Sequence, residues 1–301
     1  MPLRSENFAE ALLPAIYNFF EIGLNLRPSL IPSLYSVRDS DRSKEEHVGL
    51  GGAGTDAWDV YKMTGQVGEI DYDQTYTSTF THVTYPARLN IQREWLEDVQ
   101  YSRVRDYSRQ VGISAAQKRE KDAASVFNNA FSSSYTGGDG VALCSDSHPA
   151  NPNKSGSTQD NKGTVALTKA NVSTTRQAMM AYEDDSGNLL GVTPDMILVP
   201  PELEDSAMEA VMSALDPTSA NNAINPQAGR FRVVPWHYLT DSNNWFMIDS
   251  VWMMESLLWY NRVNLEFIDV REDAVNVQVD ARMRYSYGWT DWRWIYGHEV
   301  S

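Results

Sequence analysis

Residues 275–287 read VNVQVDARMRYSY, and their alternation is the strongest strand signal in the chain. Val275, Val277, Val279, Ala281, Met283, Tyr285 and Tyr287 interleave with Asn276, Gln278, Asp280, Arg282, Arg284 and Ser286. Successive strand side chains point to opposite faces, so strict period two predicts one strand with an apolar and a polar face, longer than an ordinary strand. GWTD (288–291) reads as the turn that ends it. WRWIYGHE (292–299) reads as a returning strand with Trp292, Trp294 and Tyr296 on one face.

Upstream of this strand, residues 165–265 follow a compact α/β pattern. TKANVSTTRQAMMAYED (168–184) predicts a helix that ends near Gly187, and DMILVPP (195–201) a short buried strand. PPELEDSAMEAVMSALDP (200–217) predicts a helix with Leu203, Ala207, Val211 and Leu215 four apart, stopped by Pro217. RFRVVPWHYL (230–239) and WFMID (245–249) read as strands around the turn TDSNN.

Further upstream the pattern loosens. From Leu89 to Phe131 there is no proline, and Trp95, Val99, Val104, Tyr107, Val111, Ala115, Ala123, Phe127 and Phe131 recur at mostly helical spacings. This predicts one very long helix of roughly 60 Å, slightly broken near Gly112. A Gly/Ser/Asn-rich loop follows, from Ser132 to about Gly163. Asp71 to Tyr85 is rich in Thr and Tyr and predicts a strand with two semi-polar faces, part of an exposed hairpin that invites a pairing partner. The first forty residues are punctuated by Pro2, Pro14, Pro28 and Pro32, so ALLPAIYNFFEIGL (11–24) reads as an extended arm with one short helical piece. Such an arm buries its apolar residues either on a neighbouring subunit or on its own domain.

Composition narrows the function classes. The chain has 301 residues, 42% apolar and 11% aromatic, which suits a folded protein with a large core. No run approaches a membrane span, and the N-terminus lacks the pattern of a secretory signal. A net charge of −15 opposes adhesion to nucleic acid. The single Cys144 excludes an internal disulfide and points to a reducing compartment such as a cytoplasm.

Four motifs invite chemistry, and each fails on context. GLGGAG (49–54) matches the G-x-G-x-x-G dinucleotide fingerprint. That site needs a buried strand before it and a helix after it, and SVRDSDRSKEEH offers no apolar strand. CSDSH (144–148) places a thiol near an imidazole, yet a Gly/Ser loop does not hold a nucleophile against its base. EDDSGN (183–188) lacks the alternating ligands of a calcium loop. His47, His82, His148, His237 and His298 show no zinc spacing. The C-terminal tryptophans read as packing or subunit interface in preference to a nucleic-acid stacking platform. The expectation is no catalytic residue, no metal and no cofactor.

The whole layout resembles the major capsid proteins of tailed bacteriophages, which share the Hong Kong 97 phage capsid fold. DGVALCSDSHP (139–149) is similar to a recurring D-G-x-x-L-F-S-x-x-H-P loop of Mu-like head subunits, with Cys144 where an aromatic is usual. MILVPPELEDSAMEAVMS (196–213), GRFRVVPWHYLTDSNNWFMID (229–249) and MRYSYGWTDWRWIYGHE (283–299) are similar to further segments of that family. The resemblance spans about residues 80–299. It implies an α+β fold with an N-terminal arm (1–42), an extended E-loop hairpin (43–88) and a peripheral domain with a spine helix and following loop (89–164). An α/β axial domain (165–265) follows, then C-terminal strands (266–301) that return through the peripheral sheet to the axial domain.

The implied function is self-assembly into hexamers and pentamers that form an icosahedral shell around packaged double-stranded DNA, which is held only non-specifically. Inter-subunit contacts are expected from Phe19, Phe20, Leu24 and Leu26 in the arm. In the excursion they are expected from Gly49, Gly51, Gly52, Gly54, Trp58, Tyr72, Tyr76 and Phe80, and at the C-terminal turn from Trp289 and Trp292. The implied partners are a portal, a scaffolding protein and possible decoration proteins. No long charged helix precedes the arm, so scaffolding is expected from a separate protein or a removed pro-segment. The expected location is the virion, after assembly in the host cytoplasm. The rival readings are an encapsulin-type compartment shell, a tail or decoration protein, and a dinucleotide-binding oxidoreductase.

Overall fold

The computed structural model describes residues 16–50, 74–92, 94–95, 98, 101–149, 158–215, 224–272 and 276–301. The decisive stretch forms β10 (Asn276–Trp289), fourteen residues long. Its odd-numbered residues from Val277 to Tyr285 are buried and the even-numbered ones up to Arg284 are half-buried, as period two requires. β10 pairs antiparallel on one side with β9 (Leu257–Glu272) and on the other with β4 (Val83–Gln92). β1 (Ser36–Asp39) adds a parallel edge, giving the order β1-β9-β10-β4.

Beyond Trp289 the chain turns through Trp292 and Trp294 and enters a second sheet as β11 (Ile295–His298). That sheet has the order β5-β11-β8-β6-β7, with β5 at Lys162–Gly163, β6 at Met196–Val199, β7 at Arg232–Pro235 and β8 at Trp245–Ile248. All four residues of β6 (MILV) and of β8 (WFMI) are buried, the continuous apolar run of strands covered on both faces. The third sheet is a two-stranded hairpin, β2 (Lys44–Leu50) against β3 (Gln74–Thr81).

The long helix α1 runs from Tyr101 to Asn128, 28 residues. Its length is therefore about 42 Å, shorter than the sequence pattern predicts. Leu89 and Ile91 belong to β4 instead, where they pair with Val279 and Val277. A long β10 needs a long antiparallel partner, and that demand outweighs the helical spacing of the apolar residues. Gly112 does not break the helix. A Cβ there would lie 2.2 Å from Phe20 O, and one on Gly23 would lie 2.1 Å from Arg109 O, so the two glycines let the helical residues 16–24 pack backbone to backbone on α1.

Three shorter α-helices follow α1 among the described residues. α2 (Lys169–Met180) starts at Thr168, whose hydroxyl accepts the Asn171 N–H. It ends at Met180, well before Gly187. α3 (Glu204–Met212) stops ahead of Leu215 and Pro217. α4 (Ser250–Ser256) is capped by Asp249, which accepts the N–H groups of Val251 and Trp252.

The main core joins the C-terminal half of α1 to the five-stranded sheet through Phe127, Leu143, Met179, Trp236, Phe246 and Trp294. A second cluster holds the arm and the N-terminal half of α1 on the first sheet through Ile16, Leu89, Ile91, Val104, Val277 and Val279. α1 is thus the beam that ties both sheets together. Among the described residues, no helix is long and apolar enough to cross a membrane.

Candidate functional site

The residues expected to meet neighbouring subunits divide by burial. Phe20 and Phe80 are buried at 3% and 5% exposure, and Trp289 and Trp292 at 7% and 6%. Phe20 lines a cavity of about 240 Å³ between the arm, α1 and the first sheet, together with Tyr85, Val111, Ala115 and Met283. Phe80 packs on Leu258 and Tyr260. Trp289 meets Tyr135 at 5.4 Å between ring centroids, and Trp292 stacks on His148 at 4.1 Å. These four rings pack on their own chain and leave little of their area exposed in it. Their alternation and aromatic character are as consistent with core as with interface, and within the chain they pack as core.

The remaining described candidates keep surface available. Phe19 and Leu24 are half-buried on the arm helix, and Leu26 is 47% exposed just after it. Gly49 and Tyr76 face each other across the β2–β3 hairpin, where a Cβ on Gly49 would strike Thr75 Oγ1 and lie 3.1 Å from Tyr76 O. Gly51, Gly52, Gly54, Trp58 and Tyr72 lie outside the described residues.

The hairpin also settles the glycine fingerprint. Gly49 sits inside β2, an antiparallel strand with half-exposed polar residues, whereas the dinucleotide site needs its first glycine at the turn out of a buried parallel strand. The first requirement of the fingerprint fails.

The 139–149 loop is closed by its own side chains. His148 Nδ1 lies 2.7 Å from Asp139 Oδ2 and its Nε2 lies 3.0 Å from Asn161 Oδ1. Asn161 also accepts the Ser145 N–H and donates to the carbonyls of Leu143 and Ile295. The D-G-x-x-L-x-S-x-x-H-P spacing therefore has a structural reason: its first and tenth residues close the loop on each other, and Asn161 ties it to β11. Both imidazole nitrogens are occupied, so His148 does not serve Cys144 as a base. Burial pushes the Cys144 thiol far up, and its sulfur lies against Gly297, so it is placed as a packing atom.

The EDDSGN turn is likewise internally satisfied. Asp184 accepts the N–H groups of Ser186 and Asn188, and Asp185 binds Arg293 at 2.7 Å. Among the described residues, no group of three or more His, Cys, Asp or Glu side chains could hold a metal.

Sequence reasoning overlooked a polar cluster at the hairpin base. His47 Nε2 lies 2.5 Å from Tyr260 Oη, and His82 lies 2.9 Å from Ser286 Oγ and 3.1 Å from Ser40 Oγ. The signal available was two histidines flanking a Thr-rich strand, which no spacing rule picks out.

A fold of two sheets tied by a long helix, with a separate hairpin and an arm, defines a class of shell subunits. The capsid of bacteriophage JBD30 superposes with TM-score 0.58 at 14% identity, covering 71% of this chain and 92% of that one. The capsid of cyanophage P-SCSP1u gives 0.58 at 10% identity over 91% of this chain and 89% of that one. The virus-like particle from Pyrococcus furiosus gives 0.54 at 8% identity over 94% and 98%. The class is therefore the Hong Kong 97-type capsid fold. Within it, residues 75–297 match the phage capsid protein family model, and the chain belongs to that family. It is a major capsid shell protein. No curated protein sequence matches the chain.

Proposed function

We propose that this chain self-assembles into hexamers and pentamers that close an icosahedral shell around packaged double-stranded DNA. The observation that carries this is the family match, which begins in β3 and ends in β11 and so spans all three sheets. Its work is then structural and not catalytic. In this reading residues 1–42 are the arm and 43–88 the E-loop, 89–164 hold the spine helix α1, 165–265 form the axial domain, and 266–301 link the two sheets.

Neighbours are contacted by Phe19, Leu24 and Leu26 and by the excursion, including Gly49, Gly51, Gly52, Gly54, Trp58, Tyr72 and Tyr76. Extended segments of this kind bury large area only on assembly, so specificity is spread over many modest contacts. The partners are further copies, a portal, a separate scaffold and a decoration protein. The JBD30 capsid is decorated with minor capsid protein trimers, which supports the last of these. Subunits assemble in the host cytoplasm and end in the virion. The acidic net charge keeps the lining from gripping DNA.

The test is electron microscopy of the purified chain, expressed alone and then with a scaffold. Closed shells or hexamer sheets support the reading, and a persistent monomer under both conditions refutes self-assembly. Shells filled with a cellular protein instead of DNA would transfer the chain to the compartment-shell reading. Replacing several lining acids by Lys and finding unchanged packaging would refute the role given to net charge.

A further inference from the structure

The β2–β3 hairpin touches the rest of the chain through a small, separate patch. Phe80 of β3 packs with Leu258 and Tyr260 of β9, apart from the two larger cores. Its ring lies where a side chain on Gly288 of β10 would stand, 2.9 Å from the position of a Cβ. Around this contact sit two imidazoles. His47 of β2 stacks on Tyr260 at 5.9 Å and meets Phe80 edge-on at 5.7 Å, with its Nε2 against the phenol oxygen. His82, in the link between β3 and β4, is buried between Ser40 and Ser286 and meets Tyr260 edge-on at 6.3 Å.

We propose that His47 and His82 form an acid-sensitive latch, which holds the hairpin on the β9–β10 sheet while both rings are neutral and lets it swing free when they become charged. Burial sets the direction, and the charges around the rings modify it. His47 faces Arg38 of β1 and Glu45 of β2, and His82 faces Arg284 of β10, Arg262 of β9 and the same Glu45. Glu45 is itself engaged by the Ser40 hydroxyl at 2.6 Å and by Arg42 at 3.7 Å, and Arg262 lies 3.7 Å from Asp41. Three arginines thus oppose one occupied carboxylate.

Burial is the larger influence and the arginines add to it, so both imidazoles are held below their ordinary value. A histidine lowered on docking binds its proton more readily when the hairpin is free. The latch is therefore intact above about pH 6.5 and weakens as the pH falls below it. This inference concerns one chain and does not depend on shell assembly.

Hydrogen–deuterium exchange of the full-length chain tests it, at pH 7.5 and pH 5 after correction for intrinsic exchange. Amides of β2 and β3 are expected to lose about tenfold or more of their protection at pH 5, while those of β6 and β8 keep theirs. In His47→Gln/His82→Gln the hairpin protection should no longer depend on pH. Because that variant could lose the hairpin contact at both pH values, Arg38→Gln is the second: it relieves the opposition to charge on His47 and should retain more protection at pH 5 than the parent. Unchanged protection of the parent at pH 5, simultaneous loss in β6 and β8, or equal acid loss in the histidine variant or in Arg38→Gln would overturn the latch.

Discussion

Single atoms set several limits in this subunit. At Gly112 the missing Cβ is the contact, since a methyl group would lie 2.2 Å from Phe20 O and 2.8 Å from Leu24 N, both backbone atoms. Alanine normally stabilises a helix interior by about 1 kcal/mol over glycine. Here Gly112→Ala is expected to destabilise instead, by about 1–3 kcal/mol, because the arm must move off α1. Thermal melting and faster proteolysis between residues 16 and 27 report it, and a raised melting temperature would refute the close crossing.

His298 makes a different limit, set by pH. It stacks on Trp245 at 4.1 Å, its Nε2 meets Thr175 Oγ1 at 2.8 Å, and its Nδ1 makes no hydrogen bond among the described residues. Burial lowers its pKa to about 4. The unfolded chain therefore binds the proton first, and stability is full above about pH 6.5 and falls as the pH drops towards 4, by roughly 3 kcal/mol at most. His298→Gln should flatten this part of the denaturation profile.

At the scale of elements, β10 shows what alternation does and does not report. Val279 is 1% exposed, whereas Gln278 on the other face is half-buried. Val279→Asp places an unpaired carboxylate in the cluster of Leu89, Ile91 and Val104, and is expected to cost more than 3 kcal/mol by chemical denaturation. Gln278→Thr should stay within about 0.5 kcal/mol, and equal losses at the two sites would refute the facing. The period holds until Tyr285 and then fails: Ser286 is 5% exposed, although the alternation assigns it to the polar face. The register shifts between Arg284 and Tyr285, and His82 covers the serine. A strand pattern records one sheet's two faces, but it cannot show that a hairpin from two hundred residues earlier lies down on the outer one. The same kind of limit explains the long helix, whose first residues were claimed by β4.

For the whole molecule, folding and assembly separate onto different residues. Trp292 belongs to the fold, and Trp292→Ala is expected to lose about 3–5 kcal/mol with the His148 clamp disturbed. Leu26 is 47% exposed at the end of the arm helix, so Leu26→Asp should leave the melting temperature within about 2 °C while reducing the yield of closed particles seen by electron microscopy. Normal particle yield would remove Leu26 from the contact set.

The sequence by itself determined the fold class, the buried strands β6, β8 and β10, and the loop from Asp139 to Pro149. Each rests on local periodicity or on a short run of residues that meet one another. Which aromatics are core, why Gly23 and Gly112 are glycines, and how His47 and His82 come to share Tyr260 were decided only by the tertiary structure. Those facts depend on contacts between segments far apart in the chain, and burial depends on what covers a residue, not on what the residue is.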